Sequence, residues 1–334
     1  MLSYFSSLNP AALLNACPGG IAQGLIWGIM ALGVYLTFRV LDLADLTVDG
    51  SLSTGGAVCI MLVLGGWNPE LALVVSFIAG LLAGLVTGFL HVKLGIPPIL
   101  AGILTQISLY SINLNIMVKA NQSVNVNKVQ FHFTSNVNHL WRTIALVALV
   151  CVCLIAALYW YLGTEQGSAI RATGTNPSMS RAQGINTDAM KVIGLALSNG
   201  LVALSGGILS QYQGFADVNM GRGAIVIGLA AVIIGEVLCQ AIFGGRSNFM
   251  VRLLFVVLGG VAYYLVYVFV LWLKFPADDM KLLTATVVAI FLAVPYLQRQ
   301  RASSFKKAAR NSEESIASYK QAVSATEAEL EEGE

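Results

Sequence analysis

The sequence predicts an all-α polytopic membrane protein with about nine membrane segments, some of them broken or re-entrant. Three observations predict it. Hydrophobic residues make up 57% of the 334 and charged residues only 11%, where a soluble domain carries roughly 25% charged. Of the 36 charged residues (19 + 17), 13 follow Gln298, so the first 298 positions hold only 23. Apolar runs near the roughly 20 residues that cross a bilayer as helix recur along the chain. A net charge of +2 is too small to imply nucleic acid or an acidic partner.

The segments lie near 17–38, 51–66, 69–92, 97–118, 143–162, 191–212, 223–243, 251–274 and 281–297. Residues 1–16 precede them as an extracytoplasmic segment, without a basic n-region and so without a secretory cleavage pattern. The second segment is short and opens with Gly50, Ser51, Ser53, Gly55 and Gly56, which reads as a partial or broken helix. Gly80, Gly84 and Gly88 repeat at four-residue spacing, and Gly206 with Gly207 and Gly259 with Gly260 follow. Small residues so placed let helix backbones approach closely where apolar side chains gain nothing over lipid. Cys17, Cys59, Cys151, Cys153 and Cys239 lie in or beside apolar segments without metal-ligand spacing, as small buried hydrophobes do. His91, His132 and His139 are scattered, which argues against metal chemistry.

Orientation follows from Lys and Arg. Arg39 is the first charge of any kind, which puts the N-terminus outside and the end of the first helix in the cytoplasm. Nine crossings then leave the C-terminus inside, with 13 basic residues inside and 6 outside. The longest external connection is 119–141 and the longest internal one 163–190. The tail, 298–334, turns basic and then acidic, a solvated segment whose basic start could meet anionic lipid.

The internal loop is the most informative stretch. Asn176 suits an N-cap, Pro177 the first helical position, and Gly184 a left-handed stop. Together they predict roughly two turns of helix held outside the membrane. Thr187 is the expected cap for the next helix.

Two polar breaks interrupt the apolar pattern. LDLADLTVDGS at 41–51 places Asp42, Asp45 and Asp49 between apolar runs. It is either a cytoplasmic turn or a discontinuous helix lining a cavity, because a carboxylate at the bilayer centre costs about 2.5–3.5 kcal/mol. FADVNMGRG at 215–223 echoes it, with Ala44, Asp45 and Gly50 matched by Ala216, Asp217 and Gly221, as in an inverted repeat. Glu236 lies within an otherwise apolar stretch, an intramembrane carboxylate that is a functional candidate or the partner of Arg246 or Arg252.

Ala172, Gly174, Asn176, Gly184, Ile185 and Asn186, then Ser205, Gly206 and Gly207, resemble the membrane permeases of ABC importers for branched-chain amino acids and ribose-type sugars. Asp45, Leu46, Thr47 and Val48 resemble that family's D-L-S-V segment, and Ala230 to Gly235 its A-A-V-x-x-G run. RVLDLADLTVDGS is similar to a subgroup linked with tryptophan or tyrosine uptake. The likeness covers roughly 20–297. Glu236 departs from it, standing where the family commonly has glycine.

The resemblance implies a homodimeric permease in a bacterial cell membrane, driven by two cytoplasmic ATP-binding subunits and fed by an extracytoplasmic solute-binding protein. It implies that Asn176, Pro177, Ser178, Met179, Ser180, Arg181, Ala182, Gln183 and Gly184 form the coupling helix and its caps. It implies a translocation route bordered by Asp45, Thr47, Asp49, Gly50 and Ser51 on one side and Asp217, Asn219 and Gly221 on the other. No G-x-x-x-x-G-K-[ST] phosphate loop occurs, so ATP is expected on a partner, and this chain is expected to be neither an enzyme nor a cofactor carrier. The alternative is an ion-coupled secondary transporter, which also uses broken helices and inverted repeats. An intramembrane hydrolase is disfavoured because no G-x-S-x-G turn appears.

Overall fold

The structure, a computed structural model, describes residues 10–124, 140–243 and 248–273, with isolated positions at 282, 285, 286, 289 and 293. The chain divides into two units, Met1–Val288 and Ala289–Glu334, and every element below belongs to the first. Among the described residues eight helices are long and apolar enough to cross a membrane. Apart from those isolated positions, the predicted ninth segment, 281–297, and the tail lie outside the described residues, as does most of the 119–141 connection.

Helix α1, Pro10–Tyr35, begins ahead of residue 17 and runs into a π-helical turn, Leu36–Val40. Asp42 then takes a left-handed φ of 54°, which an aspartate tolerates better than most residues, and the chain turns back. Helix α2, Thr47–Leu64, is continuous, which corrects the expectation of a broken second segment. The break precedes the helix instead of interrupting it. Helices α3, Pro69–Lys93, and α4, Pro98–Met117, each open on proline, whose missing N–H costs nothing in a first turn. Strand β1, Asn121–Ser123, follows α4.

Helix α5, Leu140–Gly163, leads into the predicted internal loop, which holds two helices: α6, Glu165–Thr175, and α7, Pro177–Ala182. Helix α8, Thr187–Gln213, ends on Gly214 at φ 76°. Strand β2, Phe215–Asp217, pairs antiparallel with β1, joining Asn121 to Asp217. Helices α9, Ala224–Phe243, and α10, Phe249–Trp272, complete the described fold.

Close backbone contact organises the bundle around α8. Gly80, Gly84 and Gly88 of α3 face α8, where an added Cβ would strike the carbonyls of Asn199 and Leu195 or the backbone at Val192. Gly206 of α8 seats against the Leu52 carbonyl of α2, and Gly24 and Gly28 of α1 against Val261 and Val257 of α10. Hydroxyls reinforce these seams. Ser198 donates to Gly33 O at 2.7 Å and Ser205 to Ile26 O at 2.8 Å, both across the α1–α8 contact. These pairings fix the directions: α2, α4, α8 and α10 run one way, while α1, α3 and α9 run the other.

Glu236 pairs with Arg39 at 2.6 Å, a partner the sequence did not suggest, while Arg246 lies outside the described residues. Parallel packing of α1 and α9 brings the two together, a proximity that separation in sequence conceals.

Candidate functional site

The two breaks meet near the middle of the bundle. Asn199 lies 12 residues beyond Thr187 (199 − 187) in the 27-residue α8, a rise of about 18 Å against a hydrocarbon core of about 30 Å. Its Nδ2 donates to Asp45 Oδ2 at 2.7 Å, and its Oδ1 accepts from Ser51 Oγ at 2.6 Å. Asp45 Oδ1 accepts the Thr47 N–H at 2.9 Å, so the carboxylate caps the start of α2. Beside it, Thr47 and Thr87 hydroxyls lie 2.8 Å apart, and Thr87 donates to Thr105 at 3.0 Å, linking α2, α3 and α4. Asp45, Thr47 and Ser51 are all buried. They therefore form a closed polar lock and stand back from the open cavity beside it.

The second break is held against the first by Asp49. Its Oδ2 accepts from Gly223 N and its Oδ1 from Ile225 N, each at 2.9 Å. A carboxylate at a helix N-terminus satisfies orphan amides and meets the positive end of the helix dipole. Gly221 N donates to Ser53 Oγ at 3.0 Å, and a Cβ at Gly221 would strike the Asp49 carbonyl, so only glycine fits there. The sequence echo has a local cause. Asp217 Oδ1 accepts Asn219 N at 2.7 Å, the same two-residue turn that Asp45 makes with Thr47. Helices α2 and α9 thus begin side by side and run in opposite directions.

A cavity of about 240 Å³ opens where these parts adjoin α4. Asp49, Gly50 and Ser53 line one wall, Gln106, Ile107, Tyr110 and Asn113 another, and Val218 with Arg222 the third. Of the predicted route residues, Asp49 and Gly50 reach this cavity; Asp217, Asn219 and Gly221 shape the loop that presents Val218 and Arg222. Gln106, Tyr110, Asn113, Asn199 and Arg222 escaped the sequence reading. The available signal was the pair of asparagine amides, Asn113 and Asn199, within apolar helices.

At one end of the bundle stands α7. The Asn176 side chain accepts Met179 N at 3.0 Å, Pro177 occupies the first turn, and Gly184 stops the helix at φ 84°. Ser178, Gln183 and Met179 are exposed, Met179 by 59%. Arg181 donates to Thr187 Oγ1 at 3.0 Å, while Ser180 and Ala182 complete the turn. Asn186, not Thr187, caps α8 by accepting Ala189 N at 3.1 Å, which corrects the predicted cap. Thr187 is instead the buried acceptor that ties α7 to α8.

Helix α6 carries the knob onto the core. Gly174 packs on the Val40 carbonyl and Leu41 Cα, Gly194 of α8 packs on the Leu41 side chain, and Arg171 lies 6.0 Å from the Phe249 ring. One continuous packed path therefore joins α7 to the residues that lead into Asp45.

A bundle of this kind, with polar breaks at mid-depth and a short capped helix projecting from one end, defines a multi-pass membrane permease. A family model described as "Branched-chain amino acid transport system / permease component" matches residues 18–294. The chain belongs to that family, the ABC permeases of branched-chain and ribose type. It is similar to a tyrosine transport system permease protein of Clostridioides difficile (strain R20291), 37% identical over 274 residues, 82% of this chain and 89% of that one. It is similar also to the autoinducer 2 import system permease protein LsrC of Photorhabdus luminescens, 25% identical over 54% of this chain and 53% of the relative. The solved structure of PsaBC from Streptococcus pneumoniae in complex with Fab aligns with a TM-score of 0.47 at 16% identity, covering 87% of this chain and 94% of that one.

Proposed function

We propose that this chain is the permease subunit of an ATP-driven importer for an amino acid, with tyrosine the favoured solute. The single observation that carries the coupling half is the packed path from α7 through Gly174 to Val40 and Leu41. Motion of α7 imposed by a motor would move α6, the end of α1 and the break that leads to Asp45. The solute follows from the similarity to the tyrosine transport permease. In this reading two copies flank the route, cytoplasmic ATP-binding subunits grip α7, and an extracytoplasmic binding protein delivers the solute. The N-terminus then lies outside and the C-terminus in the cytoplasm of a bacterial cell. Cycling of the ATP-binding subunits would switch the bundle between two packed states and so alternate access to the solute.

Proteoliposomes holding the permease with its ATP-binding subunits, supplied with the solute-binding protein, test the proposal. ATP inside the ATPase-facing compartment should drive L-tyrosine uptake, whereas uptake by the permease alone under a sodium or proton gradient would establish ion coupling instead. Gly184→Val probes the knob. A β-branched residue at φ 84° is strained by about 1–2 kcal/mol, enough to deform the stop that follows α7. Insertion should be unchanged, and ATP-driven uptake should fall about tenfold; wild-type uptake would remove α7 from the coupling route.

A further inference from the structure

We propose that the cavity between α2, α4 and the 218–223 loop is a zwitterion-binding site, in which Asp49 holds the ammonium and Arg222 the carboxylate of one amino acid. The inference rests on the import reading and deepens it by naming the groups that recognise the solute. Its size is the first reason. About 240 Å³ falls just below the roughly 300–1,000 Å³ of pockets for drug-sized ligands, the scale of a single small solute.

Charge is the second. Asp49 and Arg222 line the same cavity, and neither forms an ion pair with another described residue. The Asp49 carboxylate spends one acceptor site per oxygen on Gly223 and Ile225. A carboxylate has about four such sites, so each oxygen keeps one for an ammonium. The backbone bonds hold it in place for that purpose. Arg222 brings five donors in a planar fork that matches a carboxylate. A simple ion would satisfy one of these charges and leave the other, whereas an amino acid carries both signs at a fixed short separation.

Asn113 is the third and independent reason. The residue is fully buried, yet both its Nδ2 and its Oδ1 lack a hydrogen-bond partner, and it lies in the cavity wall. Buried amides are almost always partnered. An amide offers donor and acceptor together, the complement of an ammonium and a carboxylate, or of the phenol of tyrosine. Ile107, Tyr110 and Val218 supply the apolar and aromatic walls against which a side chain would lie.

The full-length chain in lipid nanodiscs, titrated with L-tyrosine and L-leucine, tests the site directly. The wild type should bind at least one of them saturably. Arg222 is exposed, so Arg222→Gln should fold normally and bind the amino acid about tenfold more weakly. Tyramine, which keeps the ring and ammonium but lacks the carboxylate, should bind wild type and Arg222→Gln equally. Asp49→Asn should weaken tyramine and L-tyrosine alike, and should spare 3-(4-hydroxyphenyl)propionate, which has no ammonium. Three results would overturn the site: no saturable binding of either amino acid, unchanged affinity in Arg222→Gln, or equal loss of tyramine and L-tyrosine in that variant. Uptake separates the two proposals. Normal ATP-driven uptake by an Arg222→Gln transporter would sink the site and leave the importer, whereas intact binding without any ATP-driven uptake would do the reverse.

Discussion

Replacing Asn199 with Leu is expected to destabilise the chain by about 2–3 kcal/mol and to lower its thermal midpoint in detergent, although the two side chains share the same branched skeleton. What is lost is polar partnership. Asn199 donates to Asp45 Oδ2 at 2.7 Å and accepts from Ser51 at 2.6 Å, joining α8 to the break and to α2. Interhelical hydrogen bonds within membranes average only about 0.6 kcal/mol, because the unfolded chain finds other partners in lipid. The larger figure applies here because one partner is a carboxylate whose residue is 2% exposed, and an orphaned charge costs more than an orphaned hydroxyl. Asp45→Leu combined with Asn199→Leu should recover part of the loss, since the pair then leaves no unmatched carboxylate. A coupling energy of zero in that cycle, or a single variant as heat-stable as the wild type, would show that the lock does not hold the bundle together.

The parts of this fold that could be read from sequence are those set by local chemistry. Asn176, Pro177 and Gly184 announced α7 because an N-cap, a first-turn proline and a left-handed glycine act within a few residues of themselves. Helix α6 was missed for lack of an apolar face, yet a local signal existed: Thr164 accepts Gly167 N at 3.3 Å, and Glu165 sits in the first turn. Asn186 and Thr187 are adjacent and both suited to capping, and only the backbone decides between them. The glycines of α2 looked like a broken helix because their role is tertiary. Gly55 and Gly56 sit against Ala203 and Met220, and that contact protects a continuous helix.

The cavity was half legible for the same reason. Asp49 stood out as a carboxylate in an apolar run, and its glycine neighbours marked a close approach. Arg222 and Asn113 did not, since their meeting depends on which face α4 turns to α2 and on how far the 218–223 loop descends. Neither follows from periodicity. Glu236 shows the converse, a polar residue visible in sequence whose partner, Arg39, is fixed only by the parallel packing of α1 and α9.

Gly174→Val should separate the knob from the membrane bundle without disturbing the knob itself. At Gly174 an added Cβ would strike the Val40 carbonyl oxygen and lie within 2.9 Å of Leu41 Cα, backbone atoms that cannot rotate aside. Either α6 lifts from the end of α1 or the 36–41 turn shifts. Overpacking of this kind costs about 1–3 kcal/mol, which is small beside the stability of eight packed spans and large enough to populate an undocked α6. Asn176 still caps α7 through Met179 N, and Arg181 still reaches Thr187, so the surface offered to a motor subunit persists. The expected phenotype is an ATP-binding subunit that still co-purifies and still hydrolyses ATP, with L-tyrosine uptake reduced about tenfold or more. Loss of co-purification would mean that α6 positions α7 rather than transmitting its motion. Uptake at the wild-type rate would mean that force enters by another route, such as the first turns of α8, where Gly194 meets Leu41.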